Sequence, residues 1–424
     1  MKYKYNKTSI VLIIIAGSVL FFANCVNNQS KDTQTINDTT LRAQSIISPV
    51  DYAGFVGSVV CADCHKTISH DYLHTAHYLT SQPASKKTIK GSFTPGENYY
   101  AYRPDRVVVL ESRDSGLYQV YYSKRIEKLA RRFDIVIGSG TNGQTYLSWL
   151  NDQIIELPVS YFTLVKAWEN SPGYPLSPIV FNRLATTRCL ECHTTLATTT
   201  TPPLQEPEKF DSTKMILTIS CEKCHGPAAQ HVAYERQHLN DTVGQFITDP
   251  GKLPYKLKMD VCNLCHSGRL QKTQPSFSFI AGDTLANYFS IDTTIKKTED
   301  IDVHGNQFGL LASSKCFTIS KTLACTTCHD VHKNERGKLQ LFSQRCMNCH
   351  TNEHKPVEGI SNKQLINNCI DCHMPEKPSH SIEFILQGRV FPTPAFMRTH
   401  FITVYPDETK KFIENIASSK KKKS

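Results

Sequence analysis

Apolar side chains are in short supply. Hydrophobic residues make up 40% of the 424 positions, under the roughly 45 to 50% usual for a globular protein, so something other than aliphatic side chains is expected to fill the interior. Long hydrophobic runs are almost absent. The one conspicuous run, Ile10 to Ala23, is 14 residues long, short of the roughly 20 that a spanning helix needs. Methionine is scarce at six, and no Ser-His-Asp set, paired-carboxylate motif or P-loop stands out. Charged residues are only 20%, which argues against wholesale disorder. The conspicuous basic cluster, Lys420 to Lys423, is confined to the extreme C-terminus and reads as a solvated tail. Nucleic-acid binding would want such charge spread over a folded face.

Cysteine is abundant. Fourteen of the 16 fall into seven copies of C-x-x-C followed at once by His. The copies are Cys61-Ala-Asp-Cys64-His65, Cys189-Leu-Glu-Cys192-His193, Cys221-Glu-Lys-Cys224-His225, Cys262-Asn-Leu-Cys265-His266, Cys325-Thr-Thr-Cys328-His329, Cys346-Met-Asn-Cys349-His350 and Cys369-Ile-Asp-Cys372-His373. Cysteines at i and i+3 share one side of a helical turn, so both sulfurs can bond one edge of a haem while the adjacent histidine sits beneath its iron. This is the spacing of c-type haem attachment. Zinc sites and disulfide frameworks have no reason to repeat it seven times. Seven covalently attached haem c groups are expected, with His65, His193, His225, His266, His329, His350 and His373 as proximal ligands.

A low-spin haem iron needs a sixth ligand, usually His or Met. Ten histidines lie outside the motifs and methionines are few, so bis-histidine ligation is favoured. A histidine a few positions beyond a proximal one cannot reach around its own porphyrin. His231 and His332 are therefore candidates to ligate neighbouring haems. His70, His74 and His77 share one helix face at i, i+4 and i+7, where one can ligate and the others are surface.

Several stretches resemble multihaem c-type cytochromes related to hydroxylamine oxidoreductase and its tetrahaem electron acceptor. They are Gly57 to His65 with Thr75-Ala-His77, Cys221 to His231, Ser314-Lys-Cys316-Phe, Cys325 to His332, and Cys369 to Pro375. The resemblance implies a mainly α, haem-packed fold with little regular core, and electron transfer as the role. It implies His77, His231 and His332 as distal ligands, and His304, His400, His354 and His380 are added as further candidates. The absence of a C-x-x-C-Lys motif departs from pentahaem nitrite reductases, and the count of seven departs from octahaem enzymes. An electron carrier is therefore favoured over a redox enzyme with one open haem acting on a small nitrogen or sulfur compound.

Residues 1–24 read as a secretory leader. Phe22-Ala23-Asn24-Cys25 resembles a bacterial lipobox, which would acylate Cys25, and 25–52 would be a flexible tether. The expected setting is the periplasm, outer membrane or cell surface of a bacterium, with membrane contact through a lipid on Cys25 and redox proteins as donor and acceptor. The 123 residues between His65 and Cys189 hold their own module. Arg106 to Leu110 and Leu117 to Tyr122 flank the hairpin signal Asp114-Ser-Gly116, with further strand-like runs at Phe133 to Ile137, Thr145 to Leu150 and Gln153 to Leu157. The expected division is a first-motif segment 53–92, a small antiparallel β insertion 93–180, a six-motif region 181–406 and a Lys-rich tail 407–424. Gly138-Ser-Gly140-Thr-Asn-Gly143 imitates a dinucleotide fingerprint, but Asn151-Asp152 interrupts where a helix is required, so these glycines read as turn residues. The Thr-rich stretch Thr194 to Pro203 reads as a loop. Cys316 reads as a buried small hydrophobe, a disulfide partner if Cys25 is not acylated, or a group near a haem.

Overall fold

The structure is a computed structural model and describes residues 54–202, 205–291, 297–351 and 354–421. The leader, the lipobox at Cys25 and the tether lie outside the described residues.

β-Branched and aromatic side chains dominate the stretch after the first motif, and it folds as sheet. The strands are β1 (Ser81–Pro83), β2 (Tyr99–Arg103), β3 (Arg106–Arg113), β4 (Gly116–Ser123), β5 (Ile126–Arg132), β6 (Ile135–Ile137), β7 (Gly143–Leu150), β8 (Gln153–Glu156), β9 (Val159–Phe162), β10 (Ala167–Asn170) and β11 (Arg183–Leu184). One sheet runs β2-β3-β4-β5. The other runs β1-β6-β7-β8-β11, with β9 joining β7 and β10 joining β9. Alternation along β3 and β4 buries Val108, Leu110 and Val120 completely, and Val108 and Leu110 join a cluster that includes Tyr100, Tyr146, Leu157, Val159 and Trp168. Gly91 is required there, because a Cβ would lie 2.1 Å from the Trp168 ring. Gly138 and Gly140 turn the chain between β6 and β7 with φ of 101° and 78°, a conformation glycine adopts freely.

The expectation of a mainly α protein is overturned. The structure is 29% helical and 26% strand, a mixed fold. Sheet also appears within the motif region, as β12 (Thr194–Thr199) with β13 (Phe210–Leu217), β14 (Leu270–Lys272) with β15 (Phe289–Ile291), and β16 (Glu376–Phe384) with β17 (Thr393–Arg398). The Thr-rich stretch read as a loop is thus largely strand β12. Branching at Cβ stiffens threonine toward extended backbone, and pairing with β13 satisfies its amides. Helix fails to accumulate because most motifs occupy short helices, four residues at Cys325–Cys328 and five at Cys221–His225; the longest motif helix is Tyr255–His266.

The apolar core thins out along the chain. A cluster of eight includes Leu190, Ala197, Phe210 and Met215, and a later one is reduced to Leu264, Leu270, Leu285 and Phe289. Large apolar side chains near the motifs are left exposed, among them Val59, Ile68, Ile280, Ile319 and Ile366. The Lys-rich end is helical over Pro406–Lys421 and packs on the Ile370–His373 helix. Among the described residues, no helix is long and apolar enough to cross a membrane.

Candidate haem-attachment sites

Every motif closes a helical turn at or beside a helix end. The amide of the motif histidine donates to the carbonyl of the first cysteine at 2.9 Å in the first copy and 3.0 Å in the fifth, sixth and seventh. This local bond places the two sulfurs on one side and the imidazole beneath them.

Contacts from distant elements then set each motif in place. Glu222, inside the third motif, is buried and accepts from Val56 N and Gly57 N at 2.8 Å each and from Ala228 N at 3.1 Å. It thereby clamps the entry to the first motif onto the third. Ser81 Oγ donates to the His193 carbonyl at 2.6 Å. Arg345 forms a two-pronged pair with buried Glu335 at 2.6 and 2.5 Å and donates to the Cys328 carbonyl at 2.7 Å, joining the fifth motif to the helix that leads into the sixth. Arg398 holds Asp371 of the seventh at 2.6 Å.

The histidines reveal the pattern. His65 faces His231 with ring centroids 6.4 Å apart, His266 faces His77 at 6.1 Å, His225 faces His332 at 6.2 Å, His329 faces His400 at 6.1 Å, and His373 faces His354 at 6.2 Å. Each pair joins one motif histidine to one outside the motifs. The interplanar angles range from 16° to 72°, while the spacing barely changes.

Direct stacking does not produce this spacing, because Tyr234 and His238 stack at 4.0 Å. An imidazole nitrogen bonds a transition metal at about 2.0 Å and lies about 1.1 Å from its ring centre. Two imidazoles on opposite sides of one ion therefore have centroids about 6.2 Å apart. Rotation about their common axis leaves that spacing unchanged, which accounts for the free angle. The residues present fit a bis-histidine iron. His304 is an electrostatic neighbour of both His193 and His266.

Proton placement suits ligation. His225 Nδ1 meets the Thr248 carbonyl at 2.8 Å, His231 Nδ1 that of Gln245 at 2.8 Å, His373 Nδ1 that of Thr403 at 2.9 Å, and His354 Nδ1 that of Lys355 at 2.7 Å. Each Nδ1–H donates to its carbonyl, which leaves Nε2 as the bare donor atom. Desolvation by the surrounding protein pushes His193, His266 and His400 down to about 4, keeping them neutral, the form that binds metal. His77, His266, His304 and His329 are exposed to solvent, yet surrounding protein lowers the pKa of each.

The motif cysteines form a connected set. Cys61 lies beside Cys221, Cys192 beside Cys265, Cys262 beside Cys325, and Cys346 beside Cys369. Cys224 is an electrostatic neighbour of Cys262, and Cys349 of Cys328. Every motif thereby touches at least one other. Cys64, Cys189 and Cys372 complete the fourteen; Cys189 is within 3.6 Å of Thr186 Oγ1, and Cys372 bonds Thr409 of the C-terminal helix. Cys316 is a half-buried free thiol beside Cys328, Cys346 and Cys349.

Two candidates stand apart. His350 faces no other histidine ring among the described residues. His380 is exposed, with its amide on Asp302 at 2.8 Å, and is not brought to a motif histidine. His70 and His74 are exposed neighbours of each other. Sequence reasoning overlooked Asp302 and Glu222, whose roles depend on partners 77 to 166 residues away.

No family model and no curated protein matches the chain. The fold is similar to the crystal structure of the outer cell wall cytochrome OcwA, with a TM-score of 0.52 and 16% identity over 84% of this chain and 81% of that one. It also matches the undecaheme cytochrome from the S-layer of Carboxydothermus ferrireducens, with a TM-score of 0.37 and 16% identity over 84% of this chain and 53% of that one.

Proposed function

We propose that this chain is an exported multihaem c-type cytochrome that carries seven covalently attached haems and passes single electrons along them between redox partner proteins. One observation carries the reading: in all five histidine–histidine ring pairs between distant elements, a motif histidine meets a non-motif histidine at the spacing of two ligands on one iron. The haems supply one-electron chemistry, and the protein supplies their spacing, ligation and electrostatics. His231, His304, His332, His77, His400 and His354 are the distal ligands of the first, second, third, fourth, fifth and seventh centres. The exposed apolar side chains beside the motifs are surfaces for the porphyrins to cover. Because each motif touches another through its cysteines, the seven centres form one network. The kinship to hydroxylamine oxidoreductase relatives rests on the motif stretches. The leader and Cys25 would export the chain and tether it to a membrane by lipid.

The test is to produce the mature chain in a host with cytochrome-assembly machinery. Seven haems per chain by mass and pyridine haemochrome, with mostly low-spin ferric EPR, are expected. A colourless product without a Soret band refutes the proposal. Replacing His332 by Ala is expected to convert one centre of the seven from low to high spin.

A second reading is favoured at one place. His350 faces no histidine among the described residues, so the sixth centre is the one suited to bind a small nitrogen or sulfur compound. One high-spin centre in seven that shifts with added nitrite or hydroxylamine supports this reading, and wholly low-spin spectra refute it.

A further inference from the structure

Lys223 lies inside the third motif, and its ammonium is packed where three motifs meet. Its Nζ sits 4.8 Å from the centre of the Phe277 ring and 3.5 Å from the Thr195 carbonyl, a sparse set of partners for three N–H donors. Burial lowers its pKa, opposed by Glu191, and Cys224 of its own motif, Cys192 of the second and Cys265 of the fourth are its other electrostatic neighbours. A second cation occupies the same junction. Arg188 donates to the Leu264 carbonyl at 2.9 Å, beside Cys192, whose sulfur is 3.9 Å from that same oxygen. The Arg188 guanidinium also covers the Phe289 ring at 5.3 Å.

One buried carboxylate pairs with Arg188 and is an electrostatic neighbour of Lys223. Glu191 is 1% exposed; it accepts from Arg188 at 3.3 Å and from Phe277 N at 2.7 Å. Two cations and one anion leave a net positive charge in a low-dielectric junction, where charge acts over longer range than in water. Adding an electron to a neighbouring centre adds negative charge, so this environment favours the reduced form. The fourth motif is also the branch point of the cysteine network, touching the second, the third and the fifth.

We propose that Lys223, outnumbering Glu191 together with Arg188, makes the junction of the second, third and fourth motifs an electron well, whose centres hold higher potentials than the others. Electrons entering at either end of the network collect there before leaving. The proposal rests on haem attachment at these motifs.

The test is spectroelectrochemical titration of the holoprotein at fixed pH, with Lys223→Met, Lys223→Arg and Glu191→Gln variants. Lys223→Met is expected to move two or three of the seven redox steps to lower potential, and Lys223→Arg to leave them in place. Glu191→Gln keeps an acceptor for Phe277 N and is expected to move the same steps upward. All variants are expected to retain the low-spin spectrum of the parent. Opposite shifts from the two charge removals are beyond what a packing role produces. Unchanged potentials, or shifts of one sign in both Lys223→Met and Glu191→Gln, overturn the electron well while leaving haem attachment intact. Loss of haem from the parent protein would instead refute the attachment reading itself.

Discussion

Replacing Glu222 by Ala removes the carboxylate that joins the entry of the first motif to the third. Three backbone amides lose a charged acceptor: Val56, Gly57 and Ala228. A hydrogen bond to a charged group contributes about 1.5 to 3 kcal/mol, and the three are not additive because they share one side chain. The local cost is therefore about 3 to 6 kcal/mol. At about 1.4 kcal/mol per factor of ten, the Val56 and Gly57 amides should exchange their protons at least about 100-fold faster. Gly57 turns the chain into the Ser58–Cys64 helix with φ of 82°, so loosening it frees the helix that carries Cys61 and Cys64. Hydrogen exchange of the holoprotein read by mass spectrometry over residues 54–65 measures the effect. Glu222→Gln, with one carbonyl oxygen left to accept, should fall between parent and Glu222→Ala. Unchanged protection of 54–65 in Glu222→Ala would show that the clamp is not what holds the first motif.

Two further outcomes are expected. Burial pushes the Glu169 carboxyl up to about 7, opposed by its bond from Gln387 N. The folded chain then keeps a proton that the unfolded chain releases above about 4.5, so stability falls as pH rises from about 4.5 through about 7, by up to about 3 kcal/mol. Melting followed by circular dichroism at pH 5 and pH 8 should show the drop, and Glu169→Gln should reduce it; an equal drop in the variant contradicts the assignment. The cluster of buried residues from Ile89 to Phe181 contains no motif residue. A chain made without haem attachment should therefore keep a protease-resistant fragment spanning β1 to β11 while residues 221–373 are digested, and uniform digestion would count against that division.

The candidate attachment motifs were legible in the sequence because the pattern is local: two cysteines and a histidine within five consecutive residues define each copy whatever surrounds it. The hairpin of β3 and β4 was legible for a similar reason, since a turn signal and alternating side chains are read within a dozen residues. Strand β12 was not, because a threonine run is equally at home in a loop until β13 pairs with it. The distal histidines were only partly legible. His231 and His332 could be assigned to neighbouring centres on reach, but that His77 faces His266, or that His400 faces His329, depends on chain paths 189 and 71 residues long. His354 and His380 looked alike in sequence, and only the fold brings the first to His373. The junction of Arg188, Glu191 and Lys223 likewise exists only once three motifs converge. The sequence alone thus determined which residues make up the seven candidate attachment motifs, and the tertiary structure decided which histidines from outside the motifs face motif histidines and which charges are buried beside them, because facing rings and buried charge are contacts between segments far apart along the chain.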